Sequence, residues 1–243
     1  MSEPYEIKSL SGFIEQIELI KSEAENSGNH SELLFRGQRQ AHKLRPKLAR
    51  LKLNGEIKNV EKLMLEEFKR ASLPLAEFEP INNWDWLALA QHHGLPTRLL
   101  DWTYSALVAL WFAVEKAPNG DDNGVVWVLT PTVSDFRDTK RFEDPLDNKR
   151  TKIFRSRVVS KRISAQAGAF TAHRIRSDGK MISFEKNKNF KDKLIKLVIP
   201  SDCFVVIRKS LKMMGINHST VFPDIDGLCQ HLERRFSKLE DEV

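Results

Sequence analysis

Three short segments hold the residues best suited to chemistry. In Leu34-Phe35-Arg36-Gly37-Gln38 an arginine closes an apolar run and a glycine follows it. A guanidinium at the rim of a core offers a planar fork of donors that suits phosphate or carboxylate. The plainer alternative pairs Arg36 with an internal aspartate. The second segment is Gln91-His92-His93-Gly94-Leu95-Pro96-Thr97-Arg98-Leu99-Leu100-Asp101-Trp102-Thr103. It concentrates imidazole, guanidinium, carboxylate and indole around glycine and proline turns, as loops that carry function do. Arg98 and Asp101 could instead pair with each other. Adjacent histidines do not share a helix face and no HExxH spacing is present, so no metal site is expected. The third segment, Ser164-Ala165-Gln166-Ala167-Gly168-Ala169-Phe170-Thr171, sets one glutamine among small residues. Small residues let a ligand, or another backbone, approach closely.

Hydrophobic periodicity supplies the elements that must position these groups. Leu10, Phe13, Ile14, Ile17 and Ile20 recur at helical spacing within residues 7–27, with Ser9 or Ser11 as cap and Gly28-Asn29 as stop. The run 33–35 reads as a buried strand ending at Arg36. Val60, Leu63, Met64, Phe68 and Ala71 mark a second helix, and Trp84 to His93 a third that stops at Gly94. Residues 99–103 read as extended. The helix 106–116 is apolar nearly all round, which makes it a core helix. Strands are expected at 125–129, 168–173 and 194–199, and helices at 205–214 and 223–239, the last with Pro223 near its first turn. The charged stretch 134–162 reads as a long loop or short helices. Helices and strands are mixed without strict βα alternation, so the expected class is α+β, with a mixed, largely antiparallel central sheet and flanking helices. One domain over 1–243 is expected, with its core at about 7–235.

Composition fits a globular chain: 243 residues, 41% hydrophobic and 30% charged. No apolar run approaches the roughly 18 residues of a membrane span. The N-terminus lacks a basic region followed by an apolar one, so no secretory signal is visible. Cys203 and Cys229 fit no zinc spacing, which favours a reducing, cytoplasmic setting. Lysine and arginine exceed aspartate and glutamate by only 6, but the excess is local. Residues 36–58 hold eight cations against Glu56, and residues 137–162 hold ten against four acids. Such clusters attract phosphate backbones. Arg39, Arg45 and Lys47 in the first stretch, and Arg155, Arg157 and Arg162 in the second, are the candidate phosphate or nucleic-acid contacts. Phe142, Phe154 and Phe184 lie near them and could stack on bases. A metal-dependent nuclease would draw on Asp101, Asp121, Asp122, Asp224 and Asp226. However, Asp121-Asp122-Asn123-Gly124 also reads as a turn, and Asp224 and Asp226 as a helix start.

Phe35-Arg36-Gly37, the segment 91–103 with Ala109-Leu110-Trp111-Phe112-Ala113, the run 165–171 and Val221-Phe222-Pro223-Asp224-Ile225-Asp226-Gly227-Leu228 together resemble the FRG domain family. The bacterial and phage setting of that family implies a toxin or phage-defence effector, with an antitoxin as a partner. The motif order is also similar to that of ADP-ribosyltransferases, and this second resemblance implies an ADP-ribosyltransferase-like core with NAD as cofactor. Arg36 would take the place of the first-strand arginine and grip the pyrophosphate. Thr103 or Ser105 would match the hydroxyl position, and Gln166 the later acidic or amide position. Trp102 or Phe170 would stack on the nicotinamide, with Gly37, His93, Gly94 and Arg98 as further cofactor contacts. A neutral amide at 166 cannot serve as a general base. Cleavage of NAD, or transfer of ADP-ribose to a nucleic-acid or protein acceptor, would then need a carboxylate such as Asp101 or Asp224.

Overall fold

A computed structural model of the chain describes residues 5–75, 80–138, 143–157 and 165–242. Its centre is a seven-stranded sheet: β1 (Tyr5–Glu6), β2 (Leu34–Gln38), β3 (Leu99–Thr103), β4 (Gly124–Leu129), β5 (Lys152–Phe154), β6 (Gly168–Ala172) and β7 (Leu194–Ile199). The strand order is β1-β7-β4-β2-β3-β6-β5. Only β1 and β7 run parallel; every other pair is antiparallel. The helices among the described residues are α1 (Leu10–Asn26), α2 (Ile57–Ser72), α3 (Asn83–His92), α4 (Ala106–Val114), α5 (Phe204–Met213), α6 (His218–Val221) and α7 (Ile225–Phe236). The class is α+β, as expected. Among the described residues no helix is long and apolar enough to cross a membrane.

Side chains alternate across a sheet, and here the alternation assigns the layers. Phe35, Val126, Val128, Leu197 and Ile199 share one face and pack beneath α1, α4 and α5. Leu99, Phe170 and Ala172 lie on that same face and pack against α2 and α3. Leu34, Leu100, Trp102 and Ala169 point to the opposite face, where Leu44, Phe184 and Phe190 from irregular segments cover them. Phe154 and Phe184 are therefore core residues rather than stacking platforms, and Phe142 lies outside the described residues.

The two helical groups part above the junction of β2 and β3. β2 pairs with β4 over five residues, and β3 with β6 over five. β2 and β3 share one register pair, Phe35 with Thr103. Beyond it the strands separate. Gly37 lets α4 lie close on the parting strand: a Cβ there would sit 1.8 Å from the Ala109 carbonyl oxygen.

Several expectations shift. Ser9, not Ser11, caps α1 through the Gly12 amide. Asp224 caps α7, which places Pro223 ahead of the cap. The stretch 134–162 contains β5, whose three residues pair with β6. In α2 the buried positions are Glu61 and Leu65, while Leu63 is exposed.

Candidate functional site

The gap between β2 and β3 opens into a cleft of about 310 Å³. Arg36 enters it from β2, Asp101 and Thr103 from β3, and Gln166 from the turn leading into β6. Thus four residues singled out in three distant parts of the sequence meet in one place. Gly37, Trp102 and Phe170 also line it.

Arg36 spans the gap. Its Nη1 donates to the Asp101 carbonyl oxygen at 2.7 Å, a group left free where the strands have parted. The same atom lies 3.7 Å from Asp101 Oδ2. Burial lowers the Arg36 pKa, the Asp101 charge opposes that shift, and nearby Arg50 adds to it. Arg36 Nε is buried without a hydrogen-bond partner, although buried donors are nearly always satisfied. Asp101 is more than half exposed and accepts from Gln91 Nε2 at 3.1 Å, and Gln91 Oε1 accepts from Thr97 Oγ1.

The hydroxyl of Thr103 is committed to structure. It donates to the Gln166 backbone carbonyl and accepts from the Ser105 amide at 2.9 Å. Ser105 is the N-cap of α4 and does not line the cleft. Gln166 Nε2 donates to the Val221 carbonyl at 3.3 Å, and the next residue, Ala167, holds a left-handed φ of 45°. A non-glycine residue there is uncommon and costs backbone strain. The strained turn sets Gln166 at the mouth of the cleft.

Other candidates lie elsewhere. Arg98 is buried and forms a bidentate pair with buried Glu61, with further bonds to the Pro145 and Leu146 carbonyls and Asn148. It therefore neither faces the cleft nor pairs with Asp101; the cost of burying a guanidinium demands the full set of acceptors it has inside. His93 is exposed outside the cleft, and Gly94, with φ of 84°, ends α3 and offers its carbonyl to Lys47. His92 lines the cleft instead. Trp102 and Phe170 are 3% and 4% exposed and packed against Phe184 and Phe154. The half-buried aromatic at the cleft is Phe112 of α4, which pattern reading assigned wholly to the core. The sequence pattern assigns Gln91 no role, because its partner, Asp101, lies ten residues on across a turn.

Of the basic candidates, Arg39 and Arg45 line a groove next to the cleft. Arg155 is bound to Glu32 and stacks 3.9 Å over Tyr104. The amide of Arg157 donates to Asp85, and Arg162 lies outside the described residues. The carboxylates considered for a nuclease are dispersed: Asp101 in the cleft, Asp122 bound to Gln40, and Asp224 capping α7.

Residues 31–122 match the family model described as FRG domain. No curated protein and no solved structure matches the chain.

Proposed function

From the match of residues 31–122 to the FRG domain model, we propose that the β2–β3 cleft binds NAD and cleaves its nicotinamide–ribose bond, in the manner of an ADP-ribosyltransferase-like effector. The observation that carries this reading is the convergence of Arg36, Thr103, Gln166 and Asp101 on one cleft. The cleft fits the dinucleotide at its anionic part, because Arg36 Nε lacks an acceptor that a phosphate oxygen would supply.

When bound, NAD supplies a cationic leaving group whose departure leaves positive charge on the ribose. Asp101 faces that charge as the carboxylate among the cleft residues and takes the proton of the attacking hydroxyl or amine. Gln91 and Arg36 fix its orientation. Gln166 cannot take a proton, so it orients the sugar by hydrogen bonding. Thr103 is a positioning residue: it holds the turn that presents Gln166. Phe112 offers the apolar surface for the base that the more deeply buried Trp102 and Phe170 do not.

The test is nicotinamide release from NAD, with NAD binding measured by calorimetry. Arg36→Ala should weaken binding about 10-fold or more, the value of a charge-assisted hydrogen bond. Asp101→Asn should lower release about 100-fold with binding nearly kept. A wild-type protein that neither binds NAD nor releases nicotinamide refutes the reading, as does an Asp101→Asn variant as active as wild type.

A further inference from the structure

Beside the cleft runs a second concavity of about 640 Å³, lined from Arg36 through Arg50 and closed by the end of α4 at Glu115 and Lys116. Its cationic residues are Arg36, Arg39, Lys43, Arg45, Arg50 and Lys116, against one carboxylate, Glu115. Among the described residues, Arg39, Lys43, Arg45 and Arg50 have no carboxylate within 4 Å. Elsewhere Lys21, Lys69, Arg70, Arg155 and Arg208 each sit in an ion pair. A second observation agrees. Arg45 Nε, like Arg36 Nε, is buried and without an acceptor. The groove therefore holds both uncompensated charge and unsatisfied donors, and a row of anionic oxygens would answer both.

We propose that this groove binds the backbone of a single-stranded nucleic acid and leads it to the mouth of the cleft at Arg36. Three features select this partner. The charges line a recessed path rather than a flat face, which suits a chain better than a membrane surface. The volume lies within the range of small-ligand sites, so the groove takes a few nucleotides and not a duplex. His42 and Phe112 stand among the cations, and planar rings between basic groups are what unstacked bases pack on. An acidic peptide would satisfy the charge but leave those rings unused. The groove stands on its own geometry, whether or not the cleft cleaves NAD.

The experiment is fluorescence anisotropy of labelled oligo(U) and oligo(dT) of about 12 nucleotides, titrated with the full chain across a salt series. The variants are Arg39→Ala/Lys43→Ala/Arg50→Ala and, as control, Arg155→Ala. The three groove residues are exposed and take part in no ion pair, so the melting temperature should hold. Wild type should bind with affinity falling steeply with salt. The triple variant should bind at least about 10-fold more weakly, with a log–log salt slope about 2 smaller, since each phosphate contact on a single strand contributes about 0.7. Arg155→Ala should bind within about 2-fold of wild type. The proposal is overturned if neither oligonucleotide binds, if the triple variant binds like wild type, if Arg155→Ala loses as much, or if a duplex, polyglutamate or anionic vesicles compete better than the single strand. Nicotinamide release by the wild type reads the cleft separately. Oligonucleotide binding without release supports the groove while refuting the cleft reading, and release without oligonucleotide binding overturns the groove alone.

Discussion

His173 should make the protein acid-sensitive well above the range where carboxylates titrate. The ring is 1% exposed, and its pKa is pushed down from 6.5 to about 3 by burial, aided by the charges of Arg36 and Arg98. The hydrogen bonds agree with a neutral ring. Trp102 Nε1 can only donate, and it donates to Thr171 Oγ1 at 3.0 Å; Thr171 Oγ1 lies 3.1 Å from His173 Nε2, which in a neutral ring can accept the hydroxyl's proton. A proton on Nε2 would remove that acceptor. In the unfolded chain the imidazole protonates near 6.5, while the folded chain refuses the proton until about pH 3. The unfolded state thus binds more protons over this window, and stability is present above pH 6.5 and falls as pH drops towards 3. One and a half units below 6.5, at about 1.36 kcal/mol per unit, the loss from this group is about 2 kcal/mol at pH 5. Urea unfolding followed by tryptophan fluorescence at pH 7 and pH 5 measures it, with His173→Gln as reference because the other titrating groups are common to both proteins. Wild type should lose about 2 kcal/mol more than the variant between the two pH values. Parallel losses would show that the ring takes up its proton in the folded state and would refute the assignment.

Other outcomes follow from packing and pairing. Glu61→Gln should destabilise the protein by about 3 kcal/mol or more in urea unfolding, because it strips the counter-charge from a buried arginine. Arg98→Met should cost less than Glu61→Ala, since the longer apolar side chain fills part of the vacated space. Gly37→Ala should lower the melting temperature through a loss of at least about 1–3 kcal/mol, because the added methyl meets the backbone of α4 rather than a side chain that can turn away.

Elements whose stability is local were legible. β3 and β7 fall where β-branched and apolar runs are bounded by turn residues, and α4 announced itself by having almost no polar face. The lining of the candidate cleft was legible where one residue type in one pattern carried the signal: Arg36, Asp101, Thr103 and Gln166 do share it. What failed depends on partners far along the chain. Glu61 sits on a helix whose apolar stripe is better formed elsewhere, and it is buried only because Arg98, 37 residues away, comes to meet it. β5 hides in a charged stretch because three residues at a sheet edge need no alternation of their own. Thr103 and Ser105 are equivalent in sequence, and only the start of α4 makes one a cap and leaves the other in the cleft.

The single register pair between β2 and β3 bears on how such a segment can move between proteins. Residues 31–122 hold both strands of the seam, and the cleft's arginine and carboxylate with them. The strands that give β2 and β3 their long ladders, β4 and β6, start only at Gly124 and Gly168. Gln166, too, comes from beyond the segment. The stretch is thus a keystone rather than a block. It carries the rim of the cleft, but the flanking chain must supply both abutments, and a boundary cut at residue 122 would sever the site from its scaffold. Transplanting the site means transplanting the whole sheet.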